Sequence, residues 1–130
     1  LIITLPFPPS ILRLNDKSHW RVKNPTKAKY RQECALLSSH IKYNEKGPVR
    51  IHISFYPPNN RWDWDGMVSA AKAGFDGFAD GIGVNDKRFD PTLSFKKADK
   101  ENPRIEIILF ESYPEYKREY FEPFEVDYEF

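Results

Sequence analysis

The chain of 130 residues contains one cysteine, Cys34. No internal disulfide can form, and this suits a reducing cytoplasm. No apolar run approaches the roughly 20 residues that a membrane span needs. No basic-then-apolar leader opens the sequence. The expectation is a cytoplasmic protein with no membrane partner. There is no internal repeat, and the length suits a single domain with one hydrophobic core.

What is abundant is aromatic: ten Phe, seven Tyr and three Trp. The formal net charge of +1 conceals an asymmetry. Residues 111–130 hold seven acids against Lys117 and Arg118, a net of −5. The remaining 18 basic and 12 acidic residues leave residues 1–110 at +6. A basic body with an acidic end permits a polyanionic partner, although a solvated surface accounts for the charge equally well. The expected division is a body over 1–111 and an acidic, aromatic C-terminal tail over 112–130. The tail is expected to pack its aromatics on the body or on a partner copy. The sharper alternative has it lying across the basic face in competition with nucleic acid.

Leu1 to Leu5 reads as a short strand stopped by Pro6. Asn24-Pro25 reads as a helix start, Asn capping and Pro in the first helical position. Tyr30, Cys34, Leu37 and Ile41 follow at helical spacing, and the helix is expected to fray near Asn44. Cys34 on that stripe is a core residue rather than a nucleophile. His40 and His52 read as surface residues. Val49 to Tyr56 alternates cleanly, with Val49, Ile51, Ile53 and Phe55 inward. Met67, Ala71, Gly74, Phe75 and Phe78 predict a second helix capped by Asp65, with Gly74 and Gly77 allowing close packing. Strands are expected over about Thr92 to Ala98 and around Ile105, Ile107 and Leu109, joined as a hairpin through residues 99–103. The order is β-α-β-α-β-β: an α+β (mixed α/β) fold, one sheet layer with two packed helices.

Residues 61–88 carry the chemistry. Asp63 and Asp65 are two apart, and in an extended segment both reach one side. Lys72 lies seven residues beyond Asp65, nearly two helical turns, and Asp76 one turn further. Asp86 follows a glycine turn. Close carboxylates repel unless neutralised. A lysine offers one answer, and a hard divalent cation with retained waters and phosphate oxygens offers another. An Asp-x-Asp pair alone more often marks a turn than a metal site. A nucleotide-sugar transferase is a further reading of the pair, opposed by the short chain and the lack of a nucleotide-binding β-α-β signature.

The full constellation resembles the RusA family of Holliday-junction resolvases, small homodimeric endonucleases. The resemblance rests on Arg61, Asp63-Trp64-Asp65, Lys72, Phe75-Asp76-Gly77, Gly83-Val84 and Asn85-Asp86. The opening Leu5-Pro6-Phe7-Pro8-Pro9-Ser10 and His19-Trp20-Arg21 add to it. It covers residues 1 to about 111. Gly66 stands where the family often has Asn, Asn85 replaces the first acid of an Asp-Asp pair, and Lys72 lies a few residues later than in some members.

The resemblance implies a RusA-like homodimer that nicks four-way DNA junctions in symmetric pairs. Asp63, Asp65 and Asp86 would bind Mg²⁺, with Mn²⁺ as a substitute, and Lys72 would be the catalytic lysine. Candidate phosphate contacts are Arg13, Lys17, Arg21, Lys23, Lys27, Lys29, Arg31, Arg61, Lys87 and Arg88. Trp62 and Trp64 are expected in the core or at the dimer interface, with stacking on an unpaired base as the alternative. A non-catalytic junction-binding descendant of the same fold is the competing reading.

Overall fold

A computed structural model describes residues 1–110; the C-terminal tail over 112–130 lies outside the described residues. Four strands, β1 (Ile2–Pro6), β2 (Val49–Tyr56), β3 (Phe89–Phe95) and β4 (Arg104–Leu109), form one sheet. Two 19-residue helices complete the fold: α1 (Trp20–Ser38) and α2 (Trp64–Ile82). The element order expected from the sequence is present, with 3-10 turns added at Ser10–Leu12 and Asp86–Arg88.

The sheet order is β1-β4-β2-β3. β4 is antiparallel to both β1 and β2, whereas β3 runs parallel to β2 on its other side. The expected β3–β4 hairpin is therefore absent, because β2 lies between them. After β3 the chain is tied across the end of β2, with Lys96 N donating to Phe55 O at 2.9 Å and Asp99 N to Pro57 O at 2.7 Å. It then returns along the opposite edge of β2. The turn signal at 99–103 marks the reversal but not the neighbour. β3 also begins three residues earlier than expected. Pro91 is tolerated within it because β3 is an edge strand.

One register joins the core across all four strands. Leu5 pairs with Ile105, Ile105 with Phe55, and Phe55 with Phe95. Ile3, Ile107 and Ile53 continue it, and all three are buried. The inward set expected on β2 is fully buried. The other face of the sheet is polar: His52 Nδ1 meets Thr92 Oγ1 at 2.5 Å, and Arg50 pairs with Asp90 at 3.0 Å. His52 is thus a half-buried sheet residue rather than a surface one.

α1 begins at Trp20, five residues before the expected first helical position at Pro25. His19 Nδ1 accepts from Arg21 N at 3.1 Å as the N-cap. Pro25 sits inside the helix, where it removes the N–H that would reach the Arg21 carbonyl and sets its ring against that carbonyl. The helix ends at Ser38, well short of Asn44. Ser38 Oγ donates to Cys34 O and Ser39 Oγ to Leu36 O, local bonds that compete with helix continuation. Tyr30, Cys34 and Ser38 form its buried stripe. Leu37 is 44 % exposed, and Ile41 is buried beyond the helix.

α2 carries nine buried residues, because it faces both the sheet and α1. The helices approach closely at the glycines of α2. A Cβ at Gly77 would lie 2.1 Å from Arg31 O, and one at Gly81 would lie 2.6 Å from Ala35 O. Gly83 at φ 76° closes α2 in the left-handed conformation, with its N–H returning to Ala79 O and Asp80 O. That closure turns the chain back so that Asp86 meets the flank of α2. No described helix is long and apolar enough to cross a membrane.

Candidate functional site

The site is built along the exposed side of α2, in two parts. The first lies at the head of the helix. Asp63, not Asp65, is the N-cap: its backbone is extended (φ −89°, ψ 165°) and its Oδ1 accepts from Gly66 N at 3.2 Å. Asp65 is already helical, and its Oδ1 accepts from the same N–H at 3.0 Å. The two carboxylates are therefore drawn together by one backbone donor at a helix start, not by strand alternation. Both residues are exposed. The helix N-terminus carries partial positive charge that favours both anions. Gly66 leaves room for this: a Cβ there would stand 2.6 Å from Asp63 Oδ1.

The second part lies two turns along. Lys72 Nζ stands 2.6 Å from Asp76 Oδ1 and 3.4 Å from Asp86 Oδ2. Asp76 is one turn from Lys72 on the same helix, whereas Asp86 arrives from the turn after α2. The hydrogen bond that Lys72 donates to Asp76 has the largest effect on its pKa; burial opposes it, and with the charge of Asp76 and the bond to Asp86 added, the Lys72 pKa is held above its usual value. One turn further, Asp80 receives Arg31 of α1 through Nε–Oδ2 at 2.7 Å and Nη2–Oδ1 at 3.1 Å. That bond lowers the Asp80 pKa and raises that of Arg31. Together with Asn85 these residues line an open cavity of ≈ 380 Å³.

Of the four residues expected to act together, the structure joins Lys72 to Asp86 and Asp63 to Asp65. Seven residues of helix separate Asp65 from Lys72, about 10 Å of axial rise. Among the described residues, no group of three or more His, Cys, Asp or Glu side chains is placed to hold a metal ion. The donor chemistry at the helix head nonetheless fits a hard cation. Asp63 Oδ2 and Asp65 Oδ2 make no hydrogen bond among the described residues, and magnesium is commonly held by one or two carboxylates, waters and a substrate phosphate. Sequence reasoning passed over Arg31 and Asp80 as a pair. Its signal was the 72-76-80 ladder, three charged residues one helical turn apart.

The ten basic residues expected at phosphates divide into two groups. Four are engaged within the fold. Arg31 holds Asp80. Arg88 donates to Gly47 O at 3.0 Å and to Glu45 O. Lys23 donates to Arg13 O and Asp16 O. Arg13 lies flat over Trp62, its guanidinium carbon 3.5 Å from the ring centroid. Lys17, Arg21, Lys27, Lys29, Arg61 and Lys87 are exposed. Trp62 is buried in the core, one of the two places expected for it, whereas Trp64 is 56 % exposed and outside the core of the single chain. The lone thiol of Cys34 is fully buried, and burial pushes its pKa up to about 12, so it has no part in the site.

No protein-family model matches the chain. An uncharacterized protein of Xylella fastidiosa (strain Temecula1) is 31 % identical over 93 residues, covering 67 % of this chain and 61 % of that protein. The chain thus matches about three fifths of that relative's length, and the relative's name states no activity.

Proposed function

We propose that the protein is a magnesium-dependent endonuclease selective for branched DNA, acting as a RusA-like homodimer on four-way junctions. The observation that carries this reading is the meeting of Lys72 with Asp86. The two are 14 residues apart and come together through the Gly83 turn, on the helix that Asp63 and Asp65 begin. In this reading Asp63 and Asp65 hold the divalent ion, with Mn²⁺ able to replace Mg²⁺. The bound ion would polarise a phosphodiester and lower the pKa of an attacking water. Asp76 and Asp86 keep Lys72 protonated and positioned as a cation for the charge that develops on the phosphate. The exposed cations Lys17, Arg21, Lys27, Lys29, Arg61 and Lys87 supply backbone contacts, which position DNA without reading its sequence. Two-fold symmetry of a dimer would match that of the junction and pair the nicks.

One observation favours a second reading, a junction-binding protein without catalysis. Asp86 is already engaged by Lys72, and no three acids gather among the described residues. A synthetic four-way junction incubated with and without Mg²⁺ separates the two. Symmetric nicks that vanish in Asp63→Asn while binding persists support the nuclease. Binding without nicks in Mg²⁺ or Mn²⁺ supports the binder and ends the nuclease reading.

A further inference from the structure

We propose that Arg13 and Arg61 form a subsite for one phosphate of a DNA strand whose path continues to the Asp63 and Asp65 carboxylates. The inference rests on the DNA reading above and adds to it a particular place and ligand group. Beside the head of α2 lies an open cavity of ≈ 470 Å³, lined by Phe7, Ser10, Arg13, Asn59, Arg61 and Trp62 among others. Among the described residues, no Asp or Glu lines it. The polar groups it presents include two guanidinium groups, the Ser10 hydroxyl and the Asn59 amide, and Asn59 Oδ1 already accepts from Arg61 N at 2.9 Å. What remains is rich in donors, as an anion requires.

Arg13 is held ready for such a ligand. Its guanidinium is pinned on one face of Trp62 at 3.5 Å, and the Phe7 ring meets Trp62 edge-on at 4.8 Å. Its backbone carbonyl is held by Lys23 Nζ at 3.4 Å. Stacking fixes the plane of the guanidinium and leaves its N–H groups radiating within that plane. Arg31, Arg50 and Arg104 each have a carboxylate partner. Arg13 makes no salt bridge among the described residues, although the Asp16 carboxylate feels its charge, and its buried Nε has no hydrogen-bond partner. Trp62 itself is buried, so the indole face is not offered to a base. The recognition group is the guanidinium, and the ligand is a phosphate rather than a nucleobase. Trp62 directly precedes Asp63, so a strand anchored here has its next phosphates beside the capping carboxylates.

The test compares full-length wild type, Arg13→Gln, Arg13→Lys and Arg61→Gln for affinity to a four-way junction between 50 and 200 mM salt, roughly the range over which phosphate contacts dominate. Arg13→Gln should weaken binding about five- to tenfold and reduce the slope of log affinity against log salt by about one. Arg13→Lys should keep the slope while losing part of the affinity. Arg61→Gln should reproduce the slope change without touching the Trp62 stack, which covers the case in which Arg13→Gln folds poorly. A structural role alone would lower thermal stability and leave the slope unchanged. An unchanged slope in both glutamine variants, with the junction still bound, overturns the subsite and spares the DNA reading. If the wild type binds no junction at any salt, the DNA reading falls, and the subsite with it.

Discussion

Lys72 and Asp86 meet at 3.4 Å although a helix end and a glycine turn separate them in the chain. Lys72 is also bonded to Asp76, and its side chain is 63 % exposed. An exposed ion pair contributes little to folding, typically less than about 1 kcal/mol. Lys72→Met should therefore shift the melting temperature by only a few degrees. In the nuclease reading it should lower the nicking rate by about 100-fold or more, the scale of losing one preorganised charge at a transition state. Junction nicking and thermal melting on the same preparation check both. A large loss of stability with nicking retained would reverse the assignment.

The approach of α1 and α2 is set at Gly77. A methyl group there would stand 2.1 Å from the Arg31 carbonyl, which is backbone and yields little. Alanine favours a helix by roughly 1 kcal/mol over glycine. Overpacking costs about 1–3 kcal/mol and more where backbone must move, so the clash wins. Gly77→Ala should destabilise the fold by about 2 kcal/mol, read as a lower urea midpoint. Because Arg31 would be displaced from Asp80, the variant should also disturb the Lys72 cavity. Equal or higher stability would show that the helices are not held this closely.

Much of this fold could be read from the chain, and the misses have local causes. Period-two alternation in Val49–Tyr56 and Ile105–Leu109 identified β2 and β4, because each strand buries one full face. Strand partners were harder, since nothing within residues 96–103 says on which side of β2 the chain returns. The starts of both helices were misplaced for one reason. His19 and Asp63 cap more N-terminal positions than Asn24 and Asp65, and a capping side chain is recognised only by the N–H it reaches. At the site, spacing along α2 put Lys72 and Asp76 on one face. Their meeting with Asp86 depended on the Gly83 turn, and the pairing of Asp80 with Arg31 depended on how closely the helices pack.

His52 gives the fold a pH dependence. Burial, and then the charge of Lys96, lower its pKa below the ordinary value. The folded state thus prefers neutral His52, and the unfolded chain binds the proton first as pH falls. Stability is full above the unfolded pKa of about 6.5 and is lost as pH falls toward the depressed folded value. Between pH 7.5 and pH 5, wild type should lose more stability than His52→Gln, as measured by urea unfolding at each pH. An equal loss would place the titration elsewhere.

Cys34 should be inert in the native protein. It is fully buried, and its pKa is pushed up to about 12. Since the thiolate is the reactive species, a disulfide reagent at pH 8 should label no thiol in native protein and one thiol per chain in denaturant. Rapid native labelling would mean that α1 opens readily from the sheet.

In the nuclease reading Asp63 carries two roles that substitution can separate. As the N-cap it accepts from Gly66 N, and asparagine does this nearly as well. As a metal ligand it supplies a negative oxygen, which asparagine lacks. Asp63→Asn should therefore change stability by only a few tenths of a kcal/mol, while Asp63→Ala should lose about 1 kcal/mol. In the nuclease reading calorimetry should show Mg²⁺ binding to the wild type, and both variants should lose it, and with it any nicking. If Asp63→Asn binds Mg²⁺ as the wild type does, the carboxylate serves the helix alone and the cation lies elsewhere.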